Sequence, residues 1–113
     1  MVSVEEMEGK IAAVGERDLI LPFKAVGVDI FPTGSREEAS SISRRLAKEG
    51  YNIIMVTENL AASMQDVMRE YQDQPVPSIV PIPSTIGSEG FAFSRLREAI
   101  KRAVGTDILA DKS

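Results

Sequence analysis

The segment "YNIIMVT", Tyr51 to Thr57, is apolar throughout its centre, with no alternation of apolar and polar residues. A strand with one wet face alternates, because successive side chains point to opposite sides of the sheet. A strand without alternation is covered on both faces, and that is the mark of a parallel sheet lying between two layers of helices. The rest of the chain therefore has to supply crossover helices.

The flanking segments do so. "KIAAVG" reads as a first buried strand ending in a glycine turn. "ERDLILPFKAVGV" reads as a short helix that starts at Leu19 under an Asp18 cap, holds Pro22 in its first turn and stops at Gly27. Val28 to Phe31 is a second strand, closed by Pro32. "SREEASSISRRLAKEG" has a Ser35–Glu38 capping box, apolar positions at Ala39, Ile42 and Leu46, and a Gly50 stop. "ENLAASMQDVMREYQDQ" reads as one helix with Leu60, Met64, Val67, Met68 and Tyr71 along a single stripe. "SIVPI" is the fourth strand. "FAFSRLREAIKRAVG" is the last helix, with Phe93, Leu96, Ile100 and Val104 inward, a basic outer face, and Gly105 as its end.

The order βαβαβαβα predicts a three-layer α/β fold with a four-stranded parallel sheet in the order 2-1-3-4, flavodoxin-like but without the fifth strand. Three regions are expected: a frayed tail over residues 1–9, an α/β core over 10–86, and a hinge with C-terminal helix and tail over 87–113. That strand order also accounts for "PVPSIVPIPS", which holds four of the six prolines. A proline lacks the N–H that a ladder needs, so it belongs on an edge strand, where the missing donor faces outward and pairing with stray strands is discouraged.

Composition narrows the chemistry. The 113 residues include neither cysteine nor histidine, which excludes disulfides, structural zinc, thiol nucleophiles and Ser-His triads. The net charge of -4 argues against general nucleic-acid binding. No apolar run is long enough to cross a bilayer and "MVSVEEMEG" does not read as a signal peptide, so the expectation is a soluble protein without membrane insertion.

Ligands of such sheets sit at the carboxyl ends of the strands. Those ends bring Gly15 to Asp18, Thr57 to Asn59, and Ser84 with Thr85. A phospho-receiver would hold magnesium on Glu16 or Asp18, but it also needs an aspartate ending the third strand and a lysine after the fourth, and the chain has Thr57-Glu58 and "PIPST" there. The "GSEG" loop, Gly87 to Gly90, matches no phosphate-binding motif. Neither catalytic residue nor metal ligand nor cofactor site emerges. What remains are surfaces that suit partners: the edge strand and its loop, with Ser78, Ile79, Ile82, Ser84 and Thr85, and the basic helix face of Arg95, Arg97, Lys101 and Arg102, set behind a hinge at Gly87 and Gly90.

Several motifs occur in a familiar order: "F-x-x-x-G-V" at Phe23 to Val28, "I-x-V-T-E" at Ile54 to Glu58, "P-S-I-V-x-I-P-S" at Pro77 to Ser84 and "R-A-V-G-x-D-I-L" at Arg102 to Leu109. In this order and spacing the chain resembles the family of F subunits of archaeal and bacterial A-type (V-type) rotary ATPases, from about Lys10 to Leu109. Pro22, Pro81 and the nine-residue acidic extension depart from the usual pattern, at edges and surfaces rather than in the core.

The resemblance implies a role without chemistry of its own. Such a protein is a part of the central stalk that docks on the coiled coil of the D subunit and turns inside the catalytic A/B ring. It is cytoplasmic and peripheral to the membrane, and its C-terminal helix is implicated in regulating ATP hydrolysis. The other reading, a stand-alone receiver-like or small-ligand module, predicts phosphorylation by acetyl phosphate or magnesium-dependent nucleotide binding.

Overall fold

The computed structural model describes residues 10–85 and 89–112, and the side chains of these except Glu89 and residues 103–112. Four parallel strands, β1 (Lys10–Gly15), β2 (Asp29–Pro32), β3 (Tyr51–Thr57) and β4 (Ser78–Ile82), form one sheet in the order β2-β1-β3-β4. The predicted order and parallel sense are both found.

Side-chain alternation along the central strands builds two cores. Ile11, Ala13, Ile53, Met55, Val80 and Ile82 face one way. They are covered by Ile20 and Phe23 of helix α1 (Arg17–Lys24) and by Ala92, Leu96, Ala99 and Ile100 of helix α5 (Glu89–Lys112). Ala12, Val14, Ile54 and Val56 face the other way. There they meet Ala39 and Leu46 of α2 (Arg36–Lys48), Leu60 and Ala61 of α3 (Glu58–Ala61), Met64, and Val67 of α4 (Gln65–Tyr71).

Several local expectations are corrected. Helix α1 begins at Arg17, because the N–H groups of Leu19 and Ile20 both bond the Glu16 carbonyl. Asp18 is thus a first-turn residue that complements the helix dipole rather than the cap. Pro22 falls in the second turn, where it leaves one helical acceptor without its partner; burial of Ile20 and Phe23 holds the turn in place. Strand β2 starts at Asp29, since the Val28 N–H is taken by the Phe23 carbonyl, and Pro32 is its last residue.

The capping box at α2 is half formed. Ser35 Oγ accepts from the Glu38 N–H at 3.2 Å, but the Ser35 N–H donates to Thr33 Oγ1 at 3.1 Å. Gly50 follows the helix with φ +88°, a conformation that a β-carbon resists.

The single helix expected over "ENLAASMQDVMREYQDQ" is two, α3 and α4. Met64 leaves helical geometry at φ -114°, ψ 34°, and Ser63 Oγ turns back to donate to the Leu60 carbonyl at 2.9 Å. Helix α5 runs through Gly105 to Lys112, because one internal glycine disfavours a helix by only about 1 kcal/mol relative to alanine. At 24 residues it is about 36 Å long, against about 17–23 Å for β4 and β3. Val104, expected inward, lies outside the described side chains, as does the tail over residues 1–9.

Candidate functional site: strand ends and the proline edge

At the carboxyl ends of β1 and β3, Gly15 and Thr57 are packed together. A β-carbon at Gly15 would stand 2.4 Å from Thr57 Cγ2 and 2.7 Å from Thr57 Oγ1. Only glycine permits this approach. Thr57 Oγ1 is fully buried and makes no hydrogen bond. Glu16 and Glu58, on either side, are exposed. Among the described residues, no group of three or more carboxylates is placed to hold a metal ion. Where a receiver has its acceptor aspartate, the chain has Thr57 followed by Glu58.

The edge strand β4 is built differently. Among the described residues its only neighbour is β3, in the register Ile54 to Ile79, Met55 to Val80 and Val56 to Pro81. Within a parallel strand, the N–H and C=O of one residue point to the same side, and successive residues alternate. Pro81 has no N–H to give β3, and its carbonyl accepts from Arg95 Nη1 at 3.3 Å. Position 81 therefore faces outward, and so does Ile79, while Ser78, Val80 and Ile82 face β3. The edge strand predicted from its prolines is thus confirmed at Pro81.

The sequence-predicted partner residues divide by accessibility. Ser78, Ile79 and Ser84 are half-buried and Thr85 is exposed. Ile82 is wholly buried in the core under α5, so a partner meets it only where that helix is absent. Arg95, Arg97, Lys101 and Arg102 are all exposed on α5. Arg95 reaches back to the β4 edge, and Arg97 donates to Ser94 Oγ at 3.2 Å. Gly87 lies outside the described residues, and Gly90 is the second residue of α5 rather than part of a loop.

Among the described side chains, few large ones seat helix α5. Leu96 and Ile100 are buried, and Phe93 is half-buried with its ring 4.5 Å from that of Phe23. The remaining buried positions, Ala92 and Ala99, are small. Phe91 is 72% exposed at the start of the helix.

Two further features escape sequence reading. A pocket of about 270 Å³ beside the start of β4 is lined by Met68, Tyr71, Gln74, Pro75, Pro77 and Ile79, among others. Arg44 clamps α2 to α4 by donating to both carboxylate oxygens of Glu70, at 2.9 and 3.2 Å, and to Asp66 at 3.2 Å. The Glu70 and Asp66 carboxylates push the guanidinium pKa upward. The Val67 N–H, followed by Arg44, holds the Asp66 carboxyl below its ordinary range. The clamp depends on contacts across 22 to 26 residues of chain, which no local periodicity encodes.

Comparison with known proteins points one way. The chain is 38% identical over 104 residues to the V-type ATP synthase F subunit of Clostridium perfringens, covering 92% of this chain and 99% of that one. It is 37% identical over 100 residues to the protein of the same name from Fusobacterium nucleatum, covering 88% and 95%. The A-type ATP synthase F subunit of Methanothermobacter thermautotrophicus is 30% identical over 105 residues, covering 91% and 99%. The profile of the family described as ATP synthase (F/14-kDa) subunit matches residues 11–103. With that match spanning both cores and the proline edge, the chain belongs to the family of ATP synthase F subunits.

Proposed function

We propose that this chain is a non-catalytic rotor component of a V/A-type ion-translocating ATP synthase, held in the central stalk on the coiled coil of the D subunit. It works on the cytoplasmic side, peripheral to the membrane, and couples or regulates ATP turnover in the A/B ring. Among the described residues, no helix is long and apolar enough to cross a membrane. The observation that carries this reading is the family match over nearly the whole chain. A stable, specific stalk contact needs roughly 800 Å² from each partner.

In this reading α5 is the regulatory element. Undocking it uncovers Leu96, Ile100 and part of Phe93, at about 1.5–3 kcal/mol for each side chain fully exposed. The packed form therefore dominates in the free protein, and contacts of the basic face of α5 with acidic groups of the ring offset the loss when the helix extends.

Two measurements test this. Co-purification with the coiled-coil stalk protein is expected at stoichiometric yield; failure to form that complex removes the stalk assignment. Charge reversal at Arg95 and Arg102 is expected to change ATP hydrolysis of the reconstituted complex while leaving the fold intact. An unchanged rate removes the ring contact and leaves the stalk contact standing.

A further inference from the structure

Both rims of the sheet are short of hydrogen-bond donors. Strand β2 forms one rim and, among the described residues, pairs only with β1. The Thr33 N–H donates to the Gly15 carbonyl at 2.8 Å, so position 33 faces β1. By the alternation of a parallel ladder, Phe31 faces β1 as well, while Ile30 and Pro32 face outward. Pro32 has no N–H. The outward N–H that precedes Ile30, that of Val28, is taken by the Phe23 carbonyl at 3.2 Å. From Val28 to Pro32, Ile30 is therefore the one free outward donor.

The opposite rim repeats the arrangement. Ile79 and Pro81 of β4 face outward, and Pro77 and Pro83 flank the strand. Ile79 is again the one outward donor. The Pro81 carbonyl is occupied as well, by the exposed guanidinium of Arg95. A proline and a charge on an edge both oppose strand addition. The phase matters in each strand. One residue earlier, at Phe31 or Val80, a proline would remove a bond from inside the sheet.

A parallel sheet with two free rims has a particular hazard. The β4 rim of one copy can lie parallel to the β2 rim of the next, and the order β2-β1-β3-β4 then repeats without end. Such a contact joins unlike surfaces and does not close, so it grows into a filament. A ladder across the junction needs successive outward donors from both rims. Here each rim supplies one.

We propose that Pro32 and Pro81 act together as a seal that stops copies of this chain from joining rim to rim into one continuous sheet. Partners are then held through side chains rather than through an added strand. The proposal stands apart from the stalk reading and holds whatever the partner is.

The test restores the missing donors in the full-length chain. Pro32→Val and Pro81→Val are made singly and together, with Pro75→Ala as a control that removes a loop proline and opens neither rim. Sedimentation reads self-association, and hydrogen exchange at Ile30 and Ile79 locates it. The double variant is expected to associate at concentrations about 30-fold below any at which the wild-type chain does, two added hydrogen bonds at about fivefold each. Each single variant is expected to fall between, and Pro75→Ala to match the wild type. In the double variant, Ile30 and Ile79 should gain protection as concentration rises.

A folded double variant that stays as monomeric as the wild type overturns the proposal. So does association of the double variant without protection at Ile30 and Ile79, or equal association in Pro75→Ala. If the double variant does not fold, the wild-type chain decides. Its Ile30 and Ile79 amides should exchange fast at every concentration, while the inward amides of Phe31 and Val80 are protected. Protection of Ile30 or Ile79 equal to that of Phe31 or Val80 means that the rims are already paired, and the seal is wrong.

Discussion

On one face of the sheet, α2, α3 and α4 press Leu46, Leu60, Met64 and Val67 into β1 and β3, and Arg44 fastens α2 to α4 from outside. On the other face, α1 and α5 cover β1, β3 and β4, and α5 contributes two alanines beside Leu96 and Ile100. The first face is closed by helices interleaved in sequence with the strands they cover. The second depends on the last helix, whose large anchors among the described side chains are Leu96, Ile100 and half of Phe93. Removal of α2 leaves the sheet half open in mid-chain, whereas removal of α5 uncovers one patch and breaks no chain connection between strands. A protein can therefore keep a stable body and a releasable element on opposite sides of one sheet.

The sharpest way to break this comparison is a pair of matched truncations. Leu46→Ala is expected to lower global stability by about 2–5 kcal/mol in urea unfolding, because Leu46 is wholly buried in the interleaved face. Leu96→Ala removes the same side chain from α5. Its loss should appear chiefly as faster hydrogen exchange across Leu96 to Ile100, with β3 amides little changed. If β3 loses protection to the same degree in both variants, the two faces unfold as one and the distinction is wrong.

A smaller effect is expected where Thr57 meets Gly15. Thr57→Val keeps the branched shape against Gly15 and removes a buried hydroxyl that bonds nothing. It is expected to stabilise the fold by about 1 kcal/mol in thermal or urea unfolding. Destabilisation of that size would mean that the hydroxyl has a partner in solution.

Tyr51 sharpens the interleaved face further. Its pKa is pushed up to about 12 from 10.0, by burial first and then by the hydroxyl's bond to Asp29 Oδ2 at 2.7 Å. The folded value lies above the unfolded one, so this contribution is whole below about pH 10 and is lost as pH rises through about 12. Ultraviolet titration of a Tyr71→Phe variant should show Tyr51 ionising near pH 12, and Asp29→Asn should lower that value. An ordinary phenol in the first variant would remove the bond. The smallest effect is expected for Arg44→Met, about 0–1 kcal/mol, because the clamp is exposed and screened. A loss of several kcal/mol would make the clamp, not the apolar contacts, the chief fastening of that face.

What sequence reading reached and missed follows from the range of each interaction. The unalternated Ile53 to Val56 run states that both faces are covered, and the prolines of β4 state that it is an edge, because each is a property of one strand's own backbone. The break at Met64 is hidden because two short stacked helices keep the spacing of one. Met64 is buried, as the stripe requires, although it is not helical. Gly105 reads as a stop because local propensity is the only signal available there. At the surfaces, the candidate residues Arg95 and Ile79 are legible one at a time. Their connection through the Pro81 carbonyl requires the placement of α5 beside β4, a contact across 14 residues. The contact of Gly15 with Thr57 is longer in range still, and nothing in either segment alone announces it.

The length of α5 has a mechanical consequence. The last of its described anchors, Ile100, lies near the middle of a rod of about 36 Å, longer than the strands of about 17–23 Å beneath it. A tilt of about 10° about that residue carries the helix tip roughly 3 Å. A slight adjustment among Phe93, Leu96 and Ile100 thus becomes a displacement as wide as an atom at the far end.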